Sequence, residues 1–463
     1  MLTAEKGVAV PHQLLERLSE ARRMSDALFN LVRSDARYER PIPERHRIVF
    51  YIGHLEAFDW NLLNEGVFGL ESTHPQFDRL FAFGIDPVDS GLPTDLPSDW
   101  PSQDAIHDYV SDIRNVLDQQ LVAATPELHS QTRNGFPLST LLNVAVEHRL
   151  MHVETLAYML HQLPLDMKVQ QEGRQQDSPN FGGAPVAHRM VAVPDGAVTL
   201  GLPRNVETFG AGNFGWDNEY ESHVVDVPAF EIDRYKVTNR QYLEFMADGG
   251  YETRVCWNDD DWNWKTAHEI THPLFWKKKD DGSSGHTWVY RAMFDEIPFD
   301  KLPLALDWPV YVSQAEATAY ARWVGKSLPT EVEWQRAAYG TPDGHARAYP
   351  WGNQAPNARL GNFDLQRWDP TPVNAFSEGQ SAFGVHDMLG NGWEWTSTAF
   401  GPFPGFEPFS FYRGYSADFF DGKHFVMKGG SARTAACMLR STFRNWFQAH
   451  YQYVYAGFRC VRR

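Results

Sequence analysis

The chain has 463 residues, too many for one ordinary hydrophobic core, so two or three domains are expected. Its formal net charge of -17 argues against nucleic acid and anionic membranes as partners, because both require a basic protein face. Only three cysteines occur, and neither a signal peptide nor a stretch of about 20 apolar residues is visible, which predicts a soluble cytoplasmic protein.

The first third of the sequence has the apolar spacing of helices. Apolar side chains recur with helical periodicity over residues 12–35. A second segment from Glu44 is apolar nearly all round, as in a buried bundle helix, and contains His54 in its middle. A third helix is expected from Ser102 to Leu121. With the next helical segment, these predict a four-helix bundle.

The fourth predicted helix, which Pro164 ends, contains two histidines four residues apart. Side chains so spaced lie on one helix face with Cβ atoms roughly 5–6 Å apart, so His148 and His152 can bind one metal ion. The alternative is one core histidine and one surface histidine. His54 lies in an apolar helix and requires a polar partner when buried. The partner is either a hydrogen-bonding group or the metal ion, in which case His54 is a third ligand. Residue types alone leave these two interpretations open.

The sequence pattern changes after a polar, glycine-rich linker predicted over residues 169–187. Short strand-like runs with turn residues follow, and loops rich in Gly, Pro, Asn and Trp are expected to fill the rest. Three helices are also predicted, over 238–246, over 313–323 with Ser313 as N-cap, and from the Thr330 capping box. The prediction is an α+β fold, with a helical bundle in residues 1–168 and a mixed α+β domain in residues 188–463.

Four motifs in the C-terminal part resemble the formylglycine-generating-enzyme (sulfatase-modifying-factor) fold. They are Leu328–Ala338 (LPTEVEWQRAA), Asp387–Thr396 (DMLGNGWEWT), Gly429–Ser431 (GGS) and Ala456–Cys460 (AGFRC). The resemblance implies a C-type-lectin-like mixed α+β domain. We expect the motif residues to be mostly structural, with tryptophans in the core and asparagine and glycine in tight loops.

This fold joined to a DinB-like four-helix bundle with three histidines resembles the EgtB-type sulfoxide synthases of ergothioneine formation. That family uses a non-haem iron and oxygen to join sulfur to the imidazole C2 of hercynine. The resemblance implies that His54, His148 and His152 bind Fe(II), with Glu154 as the acidic residue of the motif. Glu147 or Glu154 is then a candidate to hold the second nitrogen of a ligand histidine, or else a solvated acid.

Several positions depart from the pattern of that family. Residues 84–95 contain no arginine where members that use γ-glutamylcysteine or cysteine have an arginine-rich segment, and the acidic residues there are expected to repel an anionic donor. Met151 replaces a glutamine that contacts hercynine, Val454 an acidic donor-binding residue, and Phe420 a proton-donating tyrosine. These departures resemble the selenoneine-synthase (SenA) branch, which takes a selenosugar as the chalcogen donor.

The aromatic C-terminal tail is a candidate cage for the trimethylammonium group of hercynine through cation–π attraction, with ordinary core packing as the alternative for each member. Its members are Trp446, Phe447, Tyr451, Tyr453 and Tyr455. A tyrosine proton donor, if the reaction requires one, is Tyr415, Tyr451 or Tyr453, and the sequence does not choose among them.

The expected activity is therefore carbon–selenium bond formation between hercynine and a selenosugar, with Fe(II) and O2. One alternative is an ergothioneine-type synthase that uses a thiol such as cysteine or γ-glutamylcysteine. Another is a zinc-dependent thiol transferase or hydrolase of the DinB type with the same three histidines. A third is a non-catalytic binding protein. The sequence leaves the oligomeric state open.

Overall fold

The computed structural model describes residues 9–82, 92–124, 133, 135–169, 186–204, 214–280, 286–300 and 302–463. These residues form two compact units. The first contains the described residues up to 169, with Phe214 and the later segment Phe409–Arg413, and the second contains the others. Most of the predicted linker lies outside the described residues. Within the described part of the chain, no helix combines the length and apolarity that crossing a bilayer requires.

Helices dominate the first unit, as predicted. They are α1 (Ala9–Phe29), α2 (Ile48–Leu63), the short α3 (Pro75–Leu80), α4 (Gln103–Ala123) and α5 (Leu138–Gln162). In α2, 13 of 16 residues are buried and in α5, 20 of 25, against five of 21 in α4. The two helices that contain His54, His148 and His152 are therefore central, while α4 buries a single face.

The first helix is shorter than its apolar periodicity predicts. It ends at Phe29, because the following apolar residues pair with the chain that leaves α5. Val32 forms a β-bridge with Lys168, and the Leu31 carbonyl accepts a hydrogen bond from the Val169 amide at 2.8 Å. The apolar pattern thus continues past the helix end into an extended contact. The helix prediction is wrong over residues 30–33, and a short 3-10 helix, Ser34–Ala36, follows.

The second unit is a mixed α+β assembly of short elements. Its helices are α6 (Asn239–Ala247), α7 (Asp259–Ala267), α8 (Gln314–Trp323) and α9 (Glu331–Tyr339). Its first strands are β1 (Met190–Val193), β2 (Gly196–Leu200), β3 (His223–Val227) and β4 (Phe230–Asp233). Next come β5 (Trp276–Asp280), β6 (His286–Arg291), β7 (Glu296–Pro298) and β8 (Trp393–Ala399). The last are β9 (His424–Lys428), β10 (Asn445–Gln448), β11 (Ala456–Gly457) and β12 (Val461–Arg462).

These strands form small sheets with the orders β1-β4-β12, β10-β9-β8-β11, β2-β3 and β5-β6-β7. All pairs are antiparallel except β11 with β8. The predicted N-caps Ser313 and Thr330 both close capping boxes, which confirms the starts of α8 and α9. Loops were expected over β5 to β7, and the structure instead forms a sheet there.

The sequence motifs of the second unit meet in its core. The carboxylate of Glu394, fully buried, accepts hydrogen bonds from Trp334 Nε1 at 3.0 Å, Lys236 Nζ at 2.8 Å and Arg459 Nε at 2.6 Å. Three motifs that are distant in the sequence therefore share one buried ion-pair network. This arrangement confirms their structural role.

Candidate metal centre

The three histidines predicted as metal ligands lie together in the first unit. His54 is in the middle of α2, and His148 and His152 are one turn apart on α5. Nε2 of His148 is 3.2 Å from Nε2 of His152, and one nitrogen from each of the three rings lies within 4.8 Å of the other two. Two nitrogens that bind one metal at about 2.1 Å are roughly 3.0–3.4 Å apart, so the α5 pair has the spacing of two ligands.

A backbone hydrogen bond defines the tautomer of His54. Its Nδ1 is 2.6 Å from the carbonyl oxygen of Phe81, the residue after α3. Since a carbonyl only accepts, Nδ1 carries the hydrogen and Nε2 keeps a free lone pair. Among the described residues, this buried Nε2 has no hydrogen-bond partner. The hydrogen-bond interpretation is therefore confirmed, and the other nitrogen of His54 lies in the histidine cluster, where its role as a third ligand stays a prediction.

Burial keeps the three imidazoles neutral. Desolvation lowers the pKa of His54 to about 4 and lowers the pKa of His148 and His152 well below the usual range. The positive charge of Arg149 acts in the same direction on all three. Neutral imidazoles offer lone pairs at physiological pH and bind Fe, Zn, Cu and Ni well. The donor set thus fits a divalent transition metal.

Aromatic rings pack against the histidines. Phe58, one turn after His54 on α2, stacks on His148 with ring centroids 3.4 Å apart, and Phe50, one turn before His54, stacks on it at 4.8 Å. Tyr412 lies 5.4 Å from Phe58 and 6.5 Å from His148, between ring centroids. Sequence reasoning missed Tyr412, which lies 250 residues after the last residue of α5, Gln162.

Packing of Phe409 and Phe411 explains why the segment with Tyr412 belongs to the first unit. Their rings lie 5.6 and 4.8 Å from that of Phe136, just before α5. The only signal in the sequence was a run of aromatic residues (FSFY) in a stretch without periodicity. Such a run is typical of a packing segment, but it does not identify the surface on which it packs.

Both roles predicted for the glutamates beside the histidines are wrong. Glu147 and Glu154 are buried, so neither is a solvated acid. Nδ1 of His148 and Nδ1 of His152 are buried and have no hydrogen-bond partner in the described part of the chain, so neither Glu147 nor Glu154 holds a ligand ring. Met151 is half-buried next to His152 on α5, and its predicted contact with hercynine stays a prediction.

The remaining predicted residues belong to the second unit, where they separate into two aromatic clusters. In one, Tyr415 stacks on Trp216 at 4.0 Å and lies 5.4 Å from Trp446. Trp446 also stacks on Phe400, with ring centroids 4.1 Å apart, and the ring of Phe420 lies 5.0 Å from that of Phe400.

In the other cluster, Phe447 stacks on Tyr451 at 4.9 Å, and Tyr453 lies 5.2 Å from Tyr451. Val454 is buried, and Tyr455 packs between Phe275 and Tyr311 in the core. Core packing is thus the role that these contacts give to Tyr455, and the cage formed by the other tail aromatics stays a prediction. The roles proposed for Tyr415, Tyr451 and Tyr453 in proton transfer stay predictions.

The acidic stretch expected to repel an anionic donor lies largely outside the described residues, which resume at Leu92. Its described acid, Asp95, is bound by Arg40 and by Arg47, with Arg47 Nε 3.0 Å from the carboxylate, and also accepts from Trp100 Nε1 at 2.8 Å. Its negative charge is therefore compensated, and the expectation that Asp95 repels an anion is wrong.

Comparison with known proteins gives a family match over the second unit. Residues 178–463 match the sulfatase-modifying factor enzyme 1-like domain. The chain is also similar to the formylglycine-generating enzyme of Mycobacterium tuberculosis, with 31% identity over 235 residues, covering 45% of this chain and 76% of that protein.

Two other relatives have names that refer to hercynine or ergothioneine. The hercynine oxygenase of Mycobacterium tuberculosis is 41% identical over 245 residues, which covers 52% of this chain and 55% of that protein. The ergothioneine biosynthesis protein 1 of Neurospora crassa is 27% identical over 499 residues, covering 92% of this chain and 54% of that protein. The chain thus spans about half the length of these relatives. The family match covers well over half of the chain, which therefore belongs to the sulfatase-modifying factor enzyme 1-like family.

Proposed function

We propose that this protein is an Fe(II)- and oxygen-dependent enzyme that forms a bond between a chalcogen atom and the imidazole C2 of hercynine. The observation that carries the proposal is the buried convergence of His54, His148 and His152. The names of the relatives support the substrate, since one is a hercynine oxygenase and another, similar over 92% of this chain, is an ergothioneine biosynthesis protein.

The three histidines would hold the iron through one nitrogen each. Bound Fe(II) would supply the redox chemistry that activates oxygen. Three imidazoles leave roughly three positions of a six-coordinate ion for other molecules, in contrast to sites filled by four protein ligands. Phe50 and Phe58 cover the faces of two ligand rings and limit their access to water.

We add Tyr412 to the candidate proton donors, because its ring lies 6.5 Å from that of a proposed ligand, His148. A phenol at this distance can reach a molecule bound beside the metal, and tyrosine acts as a general acid in other enzymes. Tyr415, Tyr451 and Tyr453 remain candidates in the second unit.

For the donor, we propose a neutral, hydroxyl-rich selenosugar. The support is the absence of arginine from residues 84–95 and the uncharged character of Phe447, Tyr451 and Val454. A thiol donor such as cysteine or γ-glutamylcysteine is the second candidate, favoured by the ergothioneine relative. A zinc-dependent hydrolase or thiol transferase is the third, because three neutral histidines are also a zinc ligand set.

One set of incubations separates these candidates. The protein is loaded with Fe(II) and given hercynine with a selenosugar, cysteine or γ-glutamylcysteine, with and without oxygen, and the product masses are measured. The proposal predicts an oxygen-dependent hercynine adduct, with the selenosugar as the best donor. If only a thiol adduct formed, the selenosugar would be refuted as the donor and the thiol would take its place. Turnover without oxygen would refute the oxygenase proposal. His148→Ala is the matched control and should abolish the adduct.

A further inference from the structure

A buried ion-pair network connects the two helices that supply the three histidines. Arg149, the residue after His148 on α5, is fully buried. Its Nη1 donates to Glu56 Oε1 at 3.0 Å and its Nη2 to Asp59 Oδ2 at 2.7 Å, both on α2. Nη2 also donates to the carbonyl of Leu55, the residue after His54, at 3.0 Å. On α5 the network therefore begins next to the proposed ligand His148, and on α2 it reaches the residue next to the proposed ligand His54.

The other helices support the same carboxylate. Arg114 of α4 donates to Glu56 through Nε at 2.9 Å and Nη2 at 2.7 Å, and it forms a bidentate pair with Asp26 of α1 at 2.7 and 2.8 Å. The guanidinium of Arg149 consequently meets two fixed acceptors, the Glu56 carboxylate held by Arg114 and the backbone carbonyl of Leu55. A planar guanidinium group that donates to several fixed acceptors has little freedom to shift or rotate.

Stability alone is a weak reason for such a network. Removing two carboxylates and a guanidinium from water is costly, and well-packed apolar side chains of similar volume are often as stabilising or more so. A metal site has a stricter requirement, because its ligands must be held to within roughly 0.5 Å of the productive geometry. Here one nitrogen from α2 and two from α5 must meet, so the separation and register of these two helices set the geometry of the site.

We propose that Arg149, with Glu56 and Asp59, is a positioning clamp that fixes α2 against α5 and thereby preorganises the three histidine nitrogens for metal binding. The inference rests on the proposed function, since it assumes that the histidines bind a metal. The clamp residues are not ligands. They act through the backbone of the adjacent positions, Leu55 and His148.

The test compares metal affinity with folding in purified full-length protein. The main variant, R149M/E56M/D59L, replaces the clamp by apolar side chains and leaves no buried charge without a partner. R149K keeps a positive charge but lacks the planar guanidinium group that donates to Glu56 and Asp59 together. R444M is the control, because it removes a buried guanidinium that pairs through two hydrogen bonds with Glu331 in the second unit, apart from the clamp. Folding is checked by urea unfolding, and Co(II) affinity and the visible ligand-field spectrum are the readouts.

The clamp predicts that the triple variant folds with wild-type or higher stability yet binds Co(II) about 10- to 100-fold more weakly, the usual effect of losing groups that orient ligands. R149K should show a smaller loss with a changed spectrum, and R444M should keep the wild-type Co(II) affinity and spectrum. A folded triple variant with wild-type affinity and spectrum would overturn the clamp. If the triple variant does not fold, R149K decides, and unchanged affinity and spectrum there would overturn it. Wild-type protein that binds no Co(II) would instead refute the proposed metal site itself.

Discussion

Replacing Gly53 by alanine should weaken both the fold and the proposed metal site, although the same change stabilises most helices. Gly53 precedes His54 in the interior of α2, where alanine is ordinarily favoured over glycine by about 1 kcal/mol. A Cβ atom at Gly53 would lie only 2.5 Å from two ring carbons of Phe81. The Phe81 ring is fully buried against Trp100 and Tyr109, at centroid distances of 6.1 and 5.9 Å, so it has no free space to enter.

Overpacking of this kind costs typically about 1–3 kcal/mol, so after the gain in helix propensity we expect a net loss of about 1 kcal/mol in the free energy of unfolding. A shift of Phe81 also moves the carbonyl that accepts the 2.6 Å hydrogen bond from His54. Loss of a group that orients a ligand lowers metal affinity by about 10- to 100-fold.

Urea unfolding of the metal-free protein and a Co(II) titration measure the two effects. Gly401→Ala is the control. Among the described residues, no heavy atom other than those of its chain neighbours lies within 4 Å of a Cβ placed there, and the backbone is not left-handed. If Gly53→Ala raised the free energy of unfolding and left Co(II) affinity unchanged, the proposed link from Gly53 through Phe81 to His54 would be refuted.

Three further predictions concern other side chains. Phe58→Ala should lower Co(II) affinity several-fold and alter the ligand-field spectrum, because it removes the ring stacked on His148; an unchanged spectrum would contradict this. Tyr412→Phe should retain the metal but reduce product formation at least tenfold, as expected for loss of a general acid; an unchanged rate would exclude a proton-transfer role. Asp387→Asn should raise the free energy of unfolding at pH 8 by up to about 3 kcal/mol. Burial raises the pKa of Asp387 to about 6, against about 3.9 in the unfolded chain. Ionisation of Asp387 therefore destabilises the native state as the pH rises through this range, and asparagine does not ionise. The gain should shrink towards pH 4, and a difference in urea unfolding that does not depend on pH would refute the assignment.

Helical periodicity in the sequence located the helices of the candidate metal centre, because the burial of apolar side chains sets that periodicity. His148 and His152 are neighbours because they lie one turn apart on the same helix. To predict that His54 lies near them, it was enough that α2 and α5 are both central in the bundle. The Phe81 carbonyl was not predictable in this way, since backbone groups carry no residue signature. Tyr412 was missed because its position depends on packing between segments distant in the sequence.

The same distinction explains the errors in the fold. Strand β5 includes Lys277, Lys278 and Lys279, whose side chains disfavour strands on propensity, so only pairing with β6 defines it. The apolar residues Leu31 and Val32 continue a helical pattern but pair with the chain after α5. In both cases tertiary contacts outweigh the local preference.

The most direct test of the central claim is an anaerobic Fe(II) titration of the wild-type protein beside His54→Ala, His148→Ala and His152→Ala, with bound iron measured per chain. Shared coordination by three histidines from two helices predicts one tightly bound iron in the wild type and the loss of tight binding in each variant. Wild-type iron binding that persists in His54→Ala would contradict the account, because α2 would then supply no ligand.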